Sequence, residues 1–383
     1  MSSCFALVNA RVFTADGLVE DGAVLVEDGR IAAITNADGA RARTDDLRDL
    51  GGAWLAPGFI DVQVNGGGGV LFNNTPTAEG IDAIGKAHRK FGTTAFLPTL
   101  ISDDAATMRV AIDATREAIT RDIDGVLGIH LEGPYLAKDR KGTHDAGQFR
   151  IPEAEEIAMA TALDNGVTLL TVAPEQVGPE RIAALIARGA IVVAGHTAGN
   201  YEQIRAGLDA GLRGFTHLFN AMSPLQGRSP GAVGAALEDR DSWCGIIVDG
   251  VHVHPASLRV ALAAKPRGKL MLVTDAMPMV GADSPSFELY DETITAVDGV
   301  VRNAAGSLAG SALDMATAVR NSVRLLGLPL EEALRMATLY PARFLKLGHE
   351  RGSIAPGLRA DLVALDDDLQ VIDTWIGGVA SVA

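Results

Sequence analysis

Short apolar runs alternate with alanine-rich amphipathic stretches through the middle of the chain. Eight runs have strand length: Phe59–Val64, Thr94–Leu100, Val126–Leu131, Thr168–Val172, Ile191–Ala194, Phe215–Phe219, Cys244–Val248 and Leu270–Val273. They are close to continuously apolar, as strands covered on both faces are. Helical patterning separates them at Ala78–Phe91, Ala105–Thr120, Glu153–Asn165, Pro179–Arg188, Tyr201–Ala210 and Ala256–Ala264. Eight β/α units within residues 56–345 predict an α/β protein with a closed (β/α)8 TIM barrel. An open doubly wound sheet fits nearly as many strands, but no glycine fingerprint follows the first run.

The two ends follow a different pattern. Phe5–Val12 and Ala23–Glu27 read as strands, and Asp28-Gly29 before Ile31–Ile34 is a tight-hairpin signal. Asp361–Leu365 and Val371–Ile376 read as strands too. Neither end is long enough to make a comfortable domain alone. Residues 1–55 and 346–383 are therefore expected to meet as one small β-sandwich domain beside the catalytic barrel of 56–345. A further hairpin, Glu288–Val297 and Val300–Val301 around Asp298-Gly299, follows the eighth run.

Composition narrows the class of partner. With 48% apolar and 21% charged residues in 383, the chain is globular rather than disordered. Its 33 Lys and Arg against 48 Asp and Glu leave a net charge of −15, which argues against nucleic acid. A single anionic ligand stays compatible where metal, arginine or backbone N–H groups make a local positive site. Two cysteines, Cys4 and Cys244, exclude a disulfide framework and a multi-cysteine metal cluster. The N-terminus lacks the basic head of a secretory signal and no apolar run reaches membrane-spanning length, so a cytoplasmic, membrane-free protein is expected.

Residues able to do chemistry stand at the C-terminal ends of the runs, the face where barrel active sites are built. They are Gln63 and Asn65 on the first, Glu132 on the third, His196 on the fifth, His217 and Asn220 on the sixth, Asp249 and His252 on the seventh, and Asp275 on the eighth. Glu132, His196 and His217 supply one carboxylate and two imidazoles, a set that binds a metal such as zinc and leaves a position for water. Any one of these histidines alone would read as a core residue. Asp275 is placed to take a proton from metal-activated water and hand it to a leaving amine, its bland alternative being a buried acceptor of backbone hydrogen bonds. Asp249 stands in an Asp-Gly pair, which is also an ordinary turn. His130 shares a face with Glu132 one layer deeper and reads as structural, while His88 and His349 receive no role. Gly66–Gly69 lacks the Gly-Lys-Ser/Thr ending of a phosphate loop and reads as a flexible loop. Arg228, on the loop after the sixth run, is a candidate anion clamp.

These residues with their neighbours resemble the amidohydrolase superfamily and, within it, the N-acetylglucosamine-6-phosphate deacetylases. The resemblance lies in Pro57–Gly66, His130-Leu131-Glu132-Gly133-Pro134, Lys141-Gly142-Thr143-His144, Ala194-Gly195-His196-Thr197, Thr216–Met222, Asp249-Gly250-Val251-His252 and Leu272–Ala276. The set runs in the family's order over most of the chain. Where many amidohydrolases carry His-x-His and bind two metals, this chain has Gln63-Val64-Asn65, the pattern of the single-metal branch. That counts against a cyclic-amide hydrolase such as a dihydroorotase or hydantoinase.

The resemblance implies one divalent metal ion per subunit, zinc first, with iron(II), manganese(II) or cobalt(II) as alternatives, held by Glu132, His196 and His217. It implies Asp275 as general base and acid, and His252 polarising the acetamide carbonyl or contacting substrate. Thr143 and His144 lie on a loop over the sugar, Asn220 and Ala221 face the substrate, and Arg228 meets the 6-phosphate. Asp249, Gly250 and Val251 precede His252 on the rim, and Leu308, Ala309 and Gly310 close the pocket. The implied substrate is a phosphorylated amino sugar, N-acetyl-D-glucosamine 6-phosphate, with the galactosamine epimer as the near alternative. The implied assembly is a homodimer whose neighbouring subunit contributes phosphate contacts. A barrel retained as a non-catalytic scaffold would lack a ligand or Asp275, and neither is missing.

Overall fold

The computed structural model of the protein describes residues 4–381. Eight parallel strands pair in chain order: Phe59–Val64, Thr93–Ile101, Gly128–Glu132, Val167–Val172, Ile191–Ala194, Gly214–Phe215, Trp243–Ile246 and Leu270–Leu272. A parallel bridge from Val64 to Ala276 joins the first strand to the end of the eighth and closes the barrel. All residues of the first three strands are buried, because helices cover the outside and packed side chains fill the inside. The helices start where side chains can satisfy their free N–H groups. Thr77 accepts from Gly80, Asp104 from Thr107, and Asn200 forms a reciprocal capping box with Gln203.

The ends of the chain share one continuous sheet. Leu362–Leu365 pairs antiparallel with Trp54–Pro57, which pairs in turn with Cys4–Thr14. Separate apolar clusters cover its two faces, one built on Leu7, Val24 and Trp375, the other on Ala6, Val8 and Leu25. Asp28 and Gly29 turn the hairpin with φ of 48° and 76°, and Asp298 and Gly299 do the same in the insert with 51° and 76°. That insert is a three-stranded sheet, Ser286–Leu289, Glu292–Val297 and Val300–Arg302.

Three local expectations change. The sixth strand ends at Phe215 rather than Phe219, since His217 and Phe219 take φ of 25° and 80° and turn the chain inward. The helix expected over Glu153–Asn165 stops at Ala160, and Arg116 holds the unwound segment through the Ala162 carbonyl and the Asp164 carboxylate. The Gly66–Gly69 run is no flexible loop but a tight hairpin in which Gly66–Gly67 pairs with Val70–Leu71. Buried His88, a residue without an assigned role, sits beneath it. Its Nε2 bonds the Gly66 carbonyl at 2.9 Å, and a Cβ on Gly67 would come within 2.8 Å of its ring.

Candidate active site

A cavity of about 370 Å³ opens at the C-terminal mouth of the barrel, lined by Glu132, His196, His217, Asn65, His252 and Asp275 among others. A larger one, about 500 Å³, lies beside the strand starts Ile191 and Trp243 and holds none of the residues singled out above. The chemistry therefore belongs to the smaller cavity.

Glu132 ends the third strand, fully buried, and the turns after the fifth and sixth strands bring His196 and His217 to it. Glu132 Oε1 lies 3.2 Å from His196 Nε2 and 2.9 Å from His217 Nε2, and the two nitrogens are 3.1 Å apart. Burial pushes the Glu132 carboxyl up, yet the two imidazoles outweigh it and hold it well below the usual carboxylate range. His196 Nδ1 faces the Arg140 carbonyl at 2.8 Å. A carbonyl only accepts, so Nδ1 carries a hydrogen there and Nε2 is the ring nitrogen left to act as a ligand beside the carboxylate. The donor set fits a divalent metal ion.

Asp275 is the second centre. Its Oδ1 accepts from Gln63 Nε2 at 3.1 Å and Asn65 Nδ2 at 2.7 Å, and the same Gln63 amide lies 3.2 Å from both oxygens of Glu132. Gln63 itself is buried behind the carboxylates and does not line the cavity. Burial, then the charge of Glu132, raises the Asp275 pKa above its ordinary value. His196, His217 and Asp275 all have positive φ, 46°, 25° and 53°, so each strand end bends sharply to aim its side chain inward.

Around the rim, Asp249 Oδ2 lies 2.6 Å from His252 Nδ1 and holds that ring. Asp249 stands outside the cavity wall, which His252, Thr143, His144, Asn220, Ala221, Leu308 and Gly310 line. Gly250, Val251 and Ala309 do not. The first two are exposed on the turn that Asp249 closes by accepting from Val251 N, and Ala309 is buried in the apolar cluster under the insert. Arg228 is exposed and stands outside this cavity.

Other groups emerge only in three dimensions. Ser102 donates its backbone N–H to His144 Nδ1 at 3.3 Å with its hydroxyl 2.8 Å away, so Nδ1 is an acceptor and neutral His144 carries its hydrogen on Nε2. Burial, then neighbouring His196, holds the His144 pKa well below the usual histidine value. Ile101, Met277, Ser307, Asp139 and Arg140 also line the cavity. His130 lies beneath Glu132 with Nε2 2.8 Å from the Thr171 hydroxyl, and burial lowers its pKa to about 4. It is a neutral, hydrogen-bonded core histidine.

Residues 54–380 match the Amidohydrolase family. The N-acetylgalactosamine-6-phosphate deacetylase of Shewanella sp. (strain ANA-3) is 45% identical over 370 residues, covering 96% of this chain and 94% of its own. N-acetylglucosamine-6-phosphate deacetylase from Pasteurella multocida superposes with a TM-score of 0.95 at 36% identity, over 99% of each chain. A mutant N-acetyl-D-glucosamine-6-phosphate deacetylase from Mycobacterium smegmatis, in complex with N-acetyl-D-glucosamine-6-phosphate, superposes at 0.92 with 35% identity over 100% of each chain.

Proposed function

The chain belongs to the amidohydrolase family, and from that premise we propose that it hydrolyses N-acetyl-D-glucosamine 6-phosphate to D-glucosamine 6-phosphate and acetate. Asp275 carries this reading: a carboxylate braced by the amides of Gln63 and Asn65 shares one cavity with a Glu132–His196–His217 metal set. Those three residues would hold one divalent ion, zinc first, since nitrogen and oxygen ligands of this kind suit it. Such an ion acidifies water and stabilises negative charge on the amide oxygen.

The remaining work falls to the chain's own side chains. Two amide donors occupy Asp275 Oδ1, so Oδ2 is the basic atom. It takes a proton from the attacking water and returns it to nitrogen as the C–N bond breaks, leaving a free amine and acetate. His252, oriented through Nδ1 by Asp249, presents Nε2 to the amide. His144 donates from Nε2 to the sugar and Thr143 lies beside it, while Asn220 and Ala221 frame the opposite edge. Leu308 and Gly310 cover the cavity. Gly250, Val251 and Ala309 act through the backbone that sets these neighbours. Arg228, exposed on its loop, would reach the 6-phosphate of a second copy, which is our reason for a homodimer. Two free thiols, Cys4 and Cys244, suit a reducing cytoplasm. Gln63 and Asn65 offer amide hydrogens where a two-metal cyclic-amide hydrolase needs imidazoles, so that alternative gains no support.

The galactosamine epimer is the second reading, favoured by the 45% identity to the Shewanella enzyme. The two substrates differ in one hydroxyl orientation, a discrimination that rests on one or two hydrogen bonds. Acetate release from both 6-phosphates by metal-loaded and chelator-stripped protein tests the proposal. Release that stops on stripping and returns with zinc is expected, faster from the glucosamine derivative. Faster release from the other epimer reverses the order, and release from neither refutes the substrate class.

A further inference from the structure

No step of the proposed hydrolysis uses the three-stranded insert, yet the tip of its first hairpin reaches the catalytic mouth. Ser286–Leu289 and Glu292–Val297 are joined by Tyr290 and Asp291, and Tyr290 takes φ of 53°. Left-handed backbone at a hairpin tip suits glycine or asparagine, and a tyrosine there is strained. Its ring is partly exposed, so packing of the ring does not account for the residue. Its hydroxyl does find a partner, donating to the Ser102 carbonyl at 2.9 Å. Burial of the hydroxyl end raises the phenol's pKa, while the Asp145 backbone N–H faces the same oxygen and works against the rise.

Ser102, just past the second barrel strand, carries two donors to His144. Its N–H and hydroxyl lie 3.3 and 2.8 Å from His144 Nδ1 and leave the ring hydrogen on Nε2. The same strand end is fixed from another side. Asn73 Oδ1 accepts from Ile101 N at 3.1 Å, and its Nδ2 donates to the Ile101 carbonyl at 3.0 Å. The insert is seated as well, since Asn74 Nδ2 donates to the Glu288 carbonyl at 2.8 Å and Phe287, Leu289 and Ile294 pack with Ile101 and Met277. The Tyr290 hydroxyl thus stands between the Ser102 strand end and the loop that carries Thr143 and His144.

We propose that Tyr290 is a positioning residue, whose hydroxyl ties the loop 141–145 to the second strand end and so fixes His144 for the sugar. The proposal rests on the deacetylase reading, in which His144 donates from Nε2 to the substrate. A donor held in place before the sugar arrives loses less freedom on binding. The strain at the hairpin tip then serves the site rather than the insert.

Tyr290→Phe keeps the ring and removes only the hydroxyl, while Tyr290→Gly also relieves the strained turn. Both are compared with wild type, metal-loaded, after thermal melts confirm folding. In Y290F the KM for the acetylated sugar phosphate should rise about three- to tenfold with kcat within about twofold, the loss expected of one hydrogen bond that serves binding alone. Y290G should show at least the same rise, although its backbone is relaxed. In a His144→Ala background Y290F should change KM by less than about 1.5-fold, because the residue it acts through is gone. Hydrogen exchange without substrate should run about three- to tenfold faster over residues 141–148 in Y290F and stay unchanged in the terminal β domain. Unchanged KM in Y290F, an equal loss in the His144→Ala background, or unchanged exchange in the loop would overturn the proposal. Failure of the substrate reading would look different: faster loop exchange in Y290F, with no acetate released by wild type from either epimer.

Discussion

Asp61→Asn removes a carboxylate from the inside of the barrel, at a position the reaction does not touch. Asp61 is fully buried in the first barrel strand. Its Oδ1 accepts from Gln63 N at 3.1 Å and Thr274 N at 3.4 Å, and its Oδ2 accepts from the Thr274 hydroxyl. Burial pushes the carboxyl up from 3.8 to about 7, these hydrogen bonds working against the rise and the charge of Asp275 adding to it. While both folded and unfolded chains hold the proton, below the unfolded pKa, the contribution to stability is complete. As pH rises the unfolded chain ionises first, and the contribution is lost progressively until the folded pKa is passed. About three units at roughly 1.36 kcal/mol each make the whole loss about 4 kcal/mol, of which about 2 falls between pH 5 and 7. Asparagine keeps the shape and an acceptor for Gln63 N–H but does not titrate. Denaturant unfolding of metal-saturated wild type and D61N at pH values from about 5 to 8 should show wild type losing about 2 kcal/mol relative to D61N up to pH 7 and little beyond. A difference that stays constant with pH would refute a buried charge at this position.

The site supports further tests. Asp275→Asn should retain metal, measured by elemental analysis, while kcat falls by about 10²- to 10⁴-fold, the range for removing a general acid–base group; most of the activity surviving would remove Asp275 from that role. Gln63→Leu takes away a donor shared by Asp275 Oδ1 and both oxygens of Glu132. Loss of charge-assisted hydrogen bonds worth about 1.5–3 kcal/mol should lower kcat/KM about 10- to 100-fold and move the acid limb of the pH profile upward. An unmoved acid limb counts against Gln63 as a brace for Asp275. Arg228→Ala should raise KM for the phosphorylated sugar about tenfold or more and much less for the free sugar; equal effects would separate Arg228 from the phosphate.

The barrel was legible because its signal is local. A strand covered on both faces is apolar along its length, and the end of each run marks the catalytic mouth. Glu132, His196, His217 and Asp275 could therefore be found by position alone. Groups defined by a distant partner carried no such signal. His144 owes its tautomer to Ser102, 42 residues away, and His88 supports Gly66 across 22. Exposure of Gly250 and Val251 was hidden for a related reason, since a motif records neighbours in sequence and not which of them faces the cavity.

The bends at the strand ends were equally silent, and they explain how the site is held. Left-handed backbone at a non-glycine residue costs on the order of 1–3 kcal/mol, yet His196, His217 and Asp275 all adopt it. Each is held by hydrogen bonds from neighbouring segments. Asp275 N donates to the Gln63 carbonyl at 3.0 Å and its carbonyl accepts from Ser311 N at 2.8 Å. Thr216 N and Leu218 N, flanking His217, donate to Ala194 and Gly245 carbonyls at 2.9 and 2.8 Å. His196 is held through its ring by Arg140. The closed barrel thus supplies the bonds that offset the strain, and the bends aim His196, His217 and Asp275 at one point before any substrate arrives.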